Sequence, residues 1–165
     1  MILLPYENFY IKTHLKADVV EERLRQEATP GSGGFLSLFK NTSDTYFEGF
    51  AVNGVFELKR NINYRNSFLP QITGTIEQDA AGSRIHVKMT MWIFVTLFMC
   101  MWLGSALLAG FLMVLQAVGQ SKLTAVDFAG FGMFLFGYAL MMGAFKFESI
   151  KTRTYLLELL EGEIE

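Results

Sequence analysis

The sequence predicts an α+β membrane protein. It consists of a small antiparallel cytoplasmic sheet with one N-terminal helix, a two-helix transmembrane hairpin, and a C-terminal amphipathic helix that packs back on the sheet. Three observations carry this. No charged side chain occurs from Met89 to Ser121, and a second uncharged run spans Phe128 to Phe145. The segments before the first run alternate apolar and polar residues with period two. Lysine and arginine cluster at the outer ends of the two uncharged runs and are sparse between them.

Composition narrows the function classes. The chain has 165 residues, 52% hydrophobic and 18% charged, with a net charge of −2. Mean hydropathy is +0.31. A balance of 14 basic to 16 acidic residues gives no pull toward nucleic acid. Cys100 is the single cysteine, so an intrachain disulfide and a multi-cysteine metal site are excluded. The start, MILLPYENFY, lacks a basic region and does not read as a signal peptide.

Residues 1–90 are expected to form the cytoplasmic α+β domain. From Phe9 to Lys16, Phe9, Ile11, Thr13 and Leu15 share one face of a strand. Asp18 and Glu21 then offer an N-cap pair for a helix carrying Val20 and Leu24, which Thr29-Pro30-Gly31 ends. Gly31-Ser32-Gly33-Gly34 reads as a linker rather than a phosphate loop, since no strand precedes it. Phe35 to Phe39 is a short strand or a membrane-surface segment. Asn53-Gly54 signals a tight hairpin pairing Val52 with Val55 and Glu48 with Lys59. On the second arm Phe56, Leu58, Ile62 and Tyr64 share parity, and Arg60 falls among them. Strands from about Pro70 to Gln78 and from Arg84 to Met91 follow. Arg84, His86 and Lys88 point outward on the last one.

Residues 91–146 are expected to be the hairpin, with spans at about 91–118 and 124–146. Thr124 to Asp127 forms a capping box before the second span, with Asp127 at the interface. Arg84, Lys88, Lys146, Lys151 and Arg153 at the outer ends oppose Lys122 in the connection, which places both termini in the cytoplasm. Ala106 with Gly110, and Ala139 with Gly143, are the expected helix-packing positions. Residues 147–165 complete the domain as a helix with Ile150, Leu157, Leu160 and Ile164 on one face. The tail acids Glu158, Glu161, Glu163 and Glu165 are expected to be solvated.

The candidate binding residues are Arg60, Tyr64, Arg65, Asn66 and Gly74. Arg60 breaks the apolar parity of its strand, so it either holds an anion with Tyr64 and Asn66 or pairs with an internal acid. If Tyr64 pairs with Pro70, Gly74 stands opposite Arg60 and leaves room for the guanidinium. No catalytic constellation, metal ligand set or cofactor site is found. His14 and His86 point outward beside lysines, and Cys100 lies in a span. The expected function is a membrane-anchored binding or sensor module using the sheet domain. The alternative is a homo-oligomeric effector or pore-like membrane subunit. Expected partners are the lipid bilayer, an apolar or anionic small ligand or a cytoplasmic protein, and a second copy of the chain, with no nucleic acid.

The run YRNSFLPQITGTI, followed by GSRIHVKMTM and a two-span hairpin, resembles a family of small bacterial membrane proteins whose activity is uncharacterised. The matching residues are Arg60, Tyr64, Arg65, Asn66, Ser67, Phe68, Pro70, Ile72, Gly74 and Ile76, then Gly82, Ile85 and His86, over about Phe47 to Phe147. The resemblance implies a multi-pass protein of the bacterial cytoplasmic membrane and carries over no catalytic role. The element order also looks like the helix-grip fold, whose members often bind apolar ligands between sheet and helix. Fewer strands are legible here than that fold uses.

Overall fold

Asn53 and Gly54 both take positive φ, 54° and 74°, as a two-residue hairpin turn requires. The strands on either side pair in the expected register, Val52 with Val55 and Glu48 with Lys59. In this computed structural model, which describes residues 4–29 and 45–165, that hairpin lies within a seven-stranded sheet. The elements in chain order are β1 (Tyr6–Thr13), α1 (Ala17–Gln26), β2 (Ala28–Thr29), β3 (Phe47–Val52), β4 (Val55–Arg60), β5 (Gln71–Asp79), β6 (Gly82–Thr90) and α2 (Ile93–Gly119). A 3-10 turn (Ala125–Phe128), α3 (Ala129–Leu159) and β7 (Gly162–Ile164) complete the chain. The strand order is β2-β3-β4-β5-β6-β1-β7, antiparallel except where β2 meets β3. The glycine-rich linker and Phe35 to Phe39 lie outside the described residues.

One face of the sheet is the core. Ile11, Phe47, Phe56, Leu58, Ile72, Ile85, Val87 and Met89 are buried there. Val20 and Leu24 of α1 pack on this face, with Phe145 and Leu156 of α3 and Leu160 just beyond it. The opposite face is open. On it His86 stacks on Tyr10, with ring centroids 4.5 Å apart, and the Arg84 guanidinium lies 4.1 Å from the Tyr10 ring centre.

Several expectations change. Strand β4 stops at Arg60, so Ile62 and Tyr64 lie in the following loop rather than on the strand. That loop is wide because Asn66 builds its turn: the Asn66 side chain accepts from the Phe68 amide at 3.0 Å, and Pro70 has no amide to extend a ladder. Register therefore begins with Lys59 opposite Gln71, and Gly74 faces Phe56, not Arg60. A Cβ at Gly74 would sit 2.3 Å from Phe56 Cζ, so the glycine makes room for an aromatic ring. Helix α1 starts at Ala17 with Lys16 as N-cap, and it ends at Gln26, ahead of Thr29-Pro30. Asp18 sits in its first turn rather than capping it, and Glu21 instead accepts from the Gly54 amide at 2.7 Å.

Helices α2 and α3 are both long and apolar enough to cross a membrane. Only 22% and 17% of their most apolar windows are buried within the protein. They cross where Ala106 and Gly110 meet Gly130, and where Trp102 covers Gly137. The α2 pair was expected; Ala139 and Gly143 are not at the crossing, because both lie on the outer surface of α3. Thr124 and Asp127 form the expected box, with the Thr124 amide donating to Asp127 Oδ2 at 2.7 Å.

Helix α3 does not stop at the end of the apolar run. It continues unbroken into the sheet domain and buries Phe145, Glu148, Ser149, Thr152 and Leu156. The expected face is displaced, with Ile150 and Ile164 half exposed. The chain leaves the helix at Glu161, where φ is 47°, and returns as β7 on the outer edge of β1. Two of the four tail acids are not merely solvated: Glu161 pairs with Arg23 at 2.7 Å, and Glu165 pairs with Arg84 at 2.7 Å and Lys12 at 3.4 Å.

Candidate binding site at the sheet–hairpin junction

Arg60 is the last residue of β4 and keeps the inward parity of Phe56 and Leu58. An unpaired guanidinium there would cost several kcal/mol. The partner is Glu148 of α3, whose side chain is 1% exposed against 16% for Arg60. Arg60 Nη1 donates to one Glu148 oxygen and the Tyr64 hydroxyl donates to the other. The loop that carries Tyr64 and the helix that carries Glu148 are thereby clasped together.

The clasp extends through stacked rings. The Arg60 guanidinium lies 5.1 Å from the Tyr46 ring centre, and Tyr46 stacks on Tyr155 of α3 at 3.6 Å with ring planes 7° apart. Tyr155 donates to Glu27 at the C-cap of α1 at 2.7 Å. Burial, then the bond to Glu27, pushes the Tyr155 phenol well above its ordinary value. The bond to Glu148, then burial, raises Tyr64. Burial works against the Arg60 charge, but Tyr46 and Glu148 more than offset it, so its value rises. All three groups therefore keep their ordinary neutral-pH charge states, and the cluster is a fixed ion pair braced by hydroxyls. Arg60 Nε and Thr152 Oγ1 are buried without a hydrogen-bond partner among the described residues.

A second contact ties the same helix to β1. Glu7, buried on the sheet's inner face, accepts from Lys146 Nζ at 2.7 Å and from Ser149 Oγ at 2.9 Å. Lys146 is thus an internal ion-pair partner as well as a basic residue at the end of the apolar run. Arg84 is likewise engaged by Glu165 and Tyr10 on the open face. Lys151 lies over the Phe147 ring at 3.9 Å, and Lys88 is exposed. Lys122 is exposed in the connection at the far end of the hairpin, and Arg153 is half-buried.

Arg65 and Asn66, the residues after Tyr64, point elsewhere. With Ser67 and Phe68 they form one wall of a cleft of about 460 Å³, whose other wall is Phe94, Val95, Phe98 and Met99 on the first two turns of α2. Of the five candidate residues, Arg60 and Tyr64 therefore meet in the clasp, Arg65 and Asn66 meet in the cleft, and Gly74 belongs to neither. Two acids at the site were missed. Glu148 is the only acid between Asp127 and Glu158, and that isolation was the available signal for Arg60's partner. Glu7 shares parity with Phe9 and Ile11. Among the described residues no three histidine, cysteine or acidic side chains gather to hold a metal.

Comparison with protein-family models, curated proteins and solved structures returned no match.

Proposed function

We propose that the chain is a non-catalytic, membrane-anchored binding module. The hairpin crosses a bacterial cytoplasmic membrane with both termini inside. The clasped sheet domain presents the cleft between loop 61–70 and α2 to a small ligand with an apolar or anionic part. One observation carries this reading: consecutive residues of a single loop serve the two structures. Tyr64 holds Glu148 of the helix that leaves the membrane, and Arg65 lines the cleft. Occupation of the cleft is therefore placed to act on the clasp, as a sensor requires.

Native mass spectrometry of gently purified protein tests it. Wild type is expected to retain a small molecule that Ser67→Trp, which fills the cleft, loses. Wild type without any retained molecule, or equal retention by the variant, overturns the reading. Orientation is checked separately: a cysteine at Lys122 should be labelled from outside intact cells, and tags at either terminus should not.

A second reading rests on the outer surface of the hairpin. A Cβ at Gly132 or Gly143 of α3 meets nothing, and Ala139 is exposed on the same helix. Close approach of a second copy there would make a homo-oligomeric membrane subunit. A particle holding one chain in mild detergent rules this out.

A further inference from the structure

We infer that the occupant of the cleft is an anionic phospholipid, its phosphate on Arg65 and its hydrocarbon along Phe94 and Phe98; this rests on the cleft being the binding place proposed above. The polar end of the cleft offers donors. Four other arginines precede the hairpin, and each holds a carboxylate: Arg23 with Glu161, Arg25 with Glu22, Arg60 with Glu148 and Arg84 with Glu165. Arg65 holds none among the described residues, and no acid lines the cleft. The Asn66 carbonyl oxygen is taken by the Phe68 amide, which leaves its NH₂ group to donate beside the Ser67 hydroxyl. A guanidinium flanked by an amide and a hydroxyl suits a phosphate and rejects a cation.

The other end offers only hydrocarbon. Phe94 is 63% exposed and Phe98 56%, on the turns where α2 begins its apolar run. Trp92, half exposed just before them, belongs to the residue type that settles at a membrane's headgroup level. The cleft is thus polar at one end and apolar at the other, at the depth where a phospholipid makes the same change. Juxtamembrane basic side chains gain further from the negative leaflet. A soluble phosphate would use Arg65 and leave the aromatic wall bare.

The full-length protein in mild non-ionic detergent is titrated with phosphatidylglycerol and with phosphatidylcholine of identical chains, and bound states are counted by native mass spectrometry. Phosphatidylglycerol is expected to bind about tenfold more tightly, because both lipids carry the phosphate but the choline ammonium offsets its charge beside Arg65. Arg65→Ala should abolish that preference, and Arg65→Lys should keep most of it. Phe98→Asp should weaken both lipids. Glycerol phosphate, which has the head without the chains, should not displace bound lipid even in large excess. Equal binding of the two lipids, or a preference that survives Arg65→Ala, overturns the inference. Displacement by glycerol phosphate overturns it in favour of a soluble anion. A different molecule retained by wild type and lost in Ser67→Trp overturns the lipid assignment while leaving the binding module standing.

Discussion

Helix α3 is one continuous element with two opposite surfaces. In its first half several large apolar side chains face outward: Leu135, Phe136 and Leu140 are exposed, while Gly130 and Gly137 sit against α2 and Met141 is buried. In its second half Glu148, Ser149 and Thr152 are turned inward while Phe147 and Ile150 face out. Neither half is an ordinary amphipathic helix: the first exposes large apolar side chains, and the second buries polar groups beside Phe145 and Leu156. The first half sets Gly130 and Gly137 against α2, because small residues let two helix backbones approach closely. The second half hides polar groups because α3 meets the sheet where Arg60 and Glu7 need partners. Apolar periodicity alone therefore does not give the buried face of either half.

The strongest way to break that contrast is at Glu148. Glu148→Leu leaves the Arg60 guanidinium and the Tyr64 hydroxyl facing an apolar side chain, at an expected cost of about 3–5 kcal/mol. Arg60→Met strands the fully buried carboxylate and should cost a similar amount. The double variant removes both charges and should recover to within about 1 kcal/mol of wild type. Denaturation of the sheet domain in detergent, followed by near-ultraviolet circular dichroism, closes the cycle. Additive losses would mean that the two residues do not depend on each other. Leu135→Ala, on the outward face of the first half, is the matched control and should leave the same transition where it was.

The legible parts of the molecule were those in which local chemistry permits one answer. Asn53-Gly54 supplies the two positive φ angles that a two-residue turn demands, and the uncharged runs form two helices long and apolar enough to cross a membrane. Arg60 announced a partner by breaking parity, and Glu148 answered from a segment read for its apolar face, its basic residues and its tail acids, but not for Glu148. The cleft was half legible. Arg65 and Asn66 stood out in a turn-rich run, but the opposing wall is made of α2 side chains that look like any lipid-facing residues. Strand β7 was not legible, because an acidic tail has no strand pattern. Lys12, Arg84 and Arg23 draw it onto the sheet edge, and the turn at Glu161 comes from a conformation that glutamate seldom adopts.

The first half of α3 is sharpened by substitutions at its glycines. A Cβ at Gly130 would lie 2.5 Å from the Gly110 backbone, so even alanine forces the two helices apart, and overpacking of this kind costs about 1–3 kcal/mol. Gly137→Ala drives into the Trp102 ring, which can swing aside, and should cost less than Gly130→Ala. Gly143→Ala meets nothing and should be neutral in a monomer. Disulfide trapping between cysteines placed on α2 and α3 reads the separation directly. If Gly143→Ala alone lowers stability, and does so only at high protein concentration, the outer face is occupied by a second copy.

The smallest effect separates the buried grip of α3's second half from the exposed strand that follows it. Bonds from Arg23 to Glu161 and from Arg84 to Glu165 hold both carboxyls below the ordinary glutamate value. A carboxyl whose folded value is lower than its unfolded one adds stability above the unfolded value and loses it as pH falls through the folded one. The docking of β7 should therefore be complete near neutrality and loosen as pH drops below about 4.3. The Glu165 amide, which donates to the Tyr10 carbonyl at 3.0 Å, reports this as a falling hydrogen-exchange protection factor. Added salt should weaken the docking in the same way, because both pairs are open to solvent. Glu165→Gln should remove part of the pH response while leaving the Arg60–Glu148 coupling untouched. Protection that stays constant down to about pH 3 would show that β7 is held by its backbone ladder to β1 and not by its carboxylates.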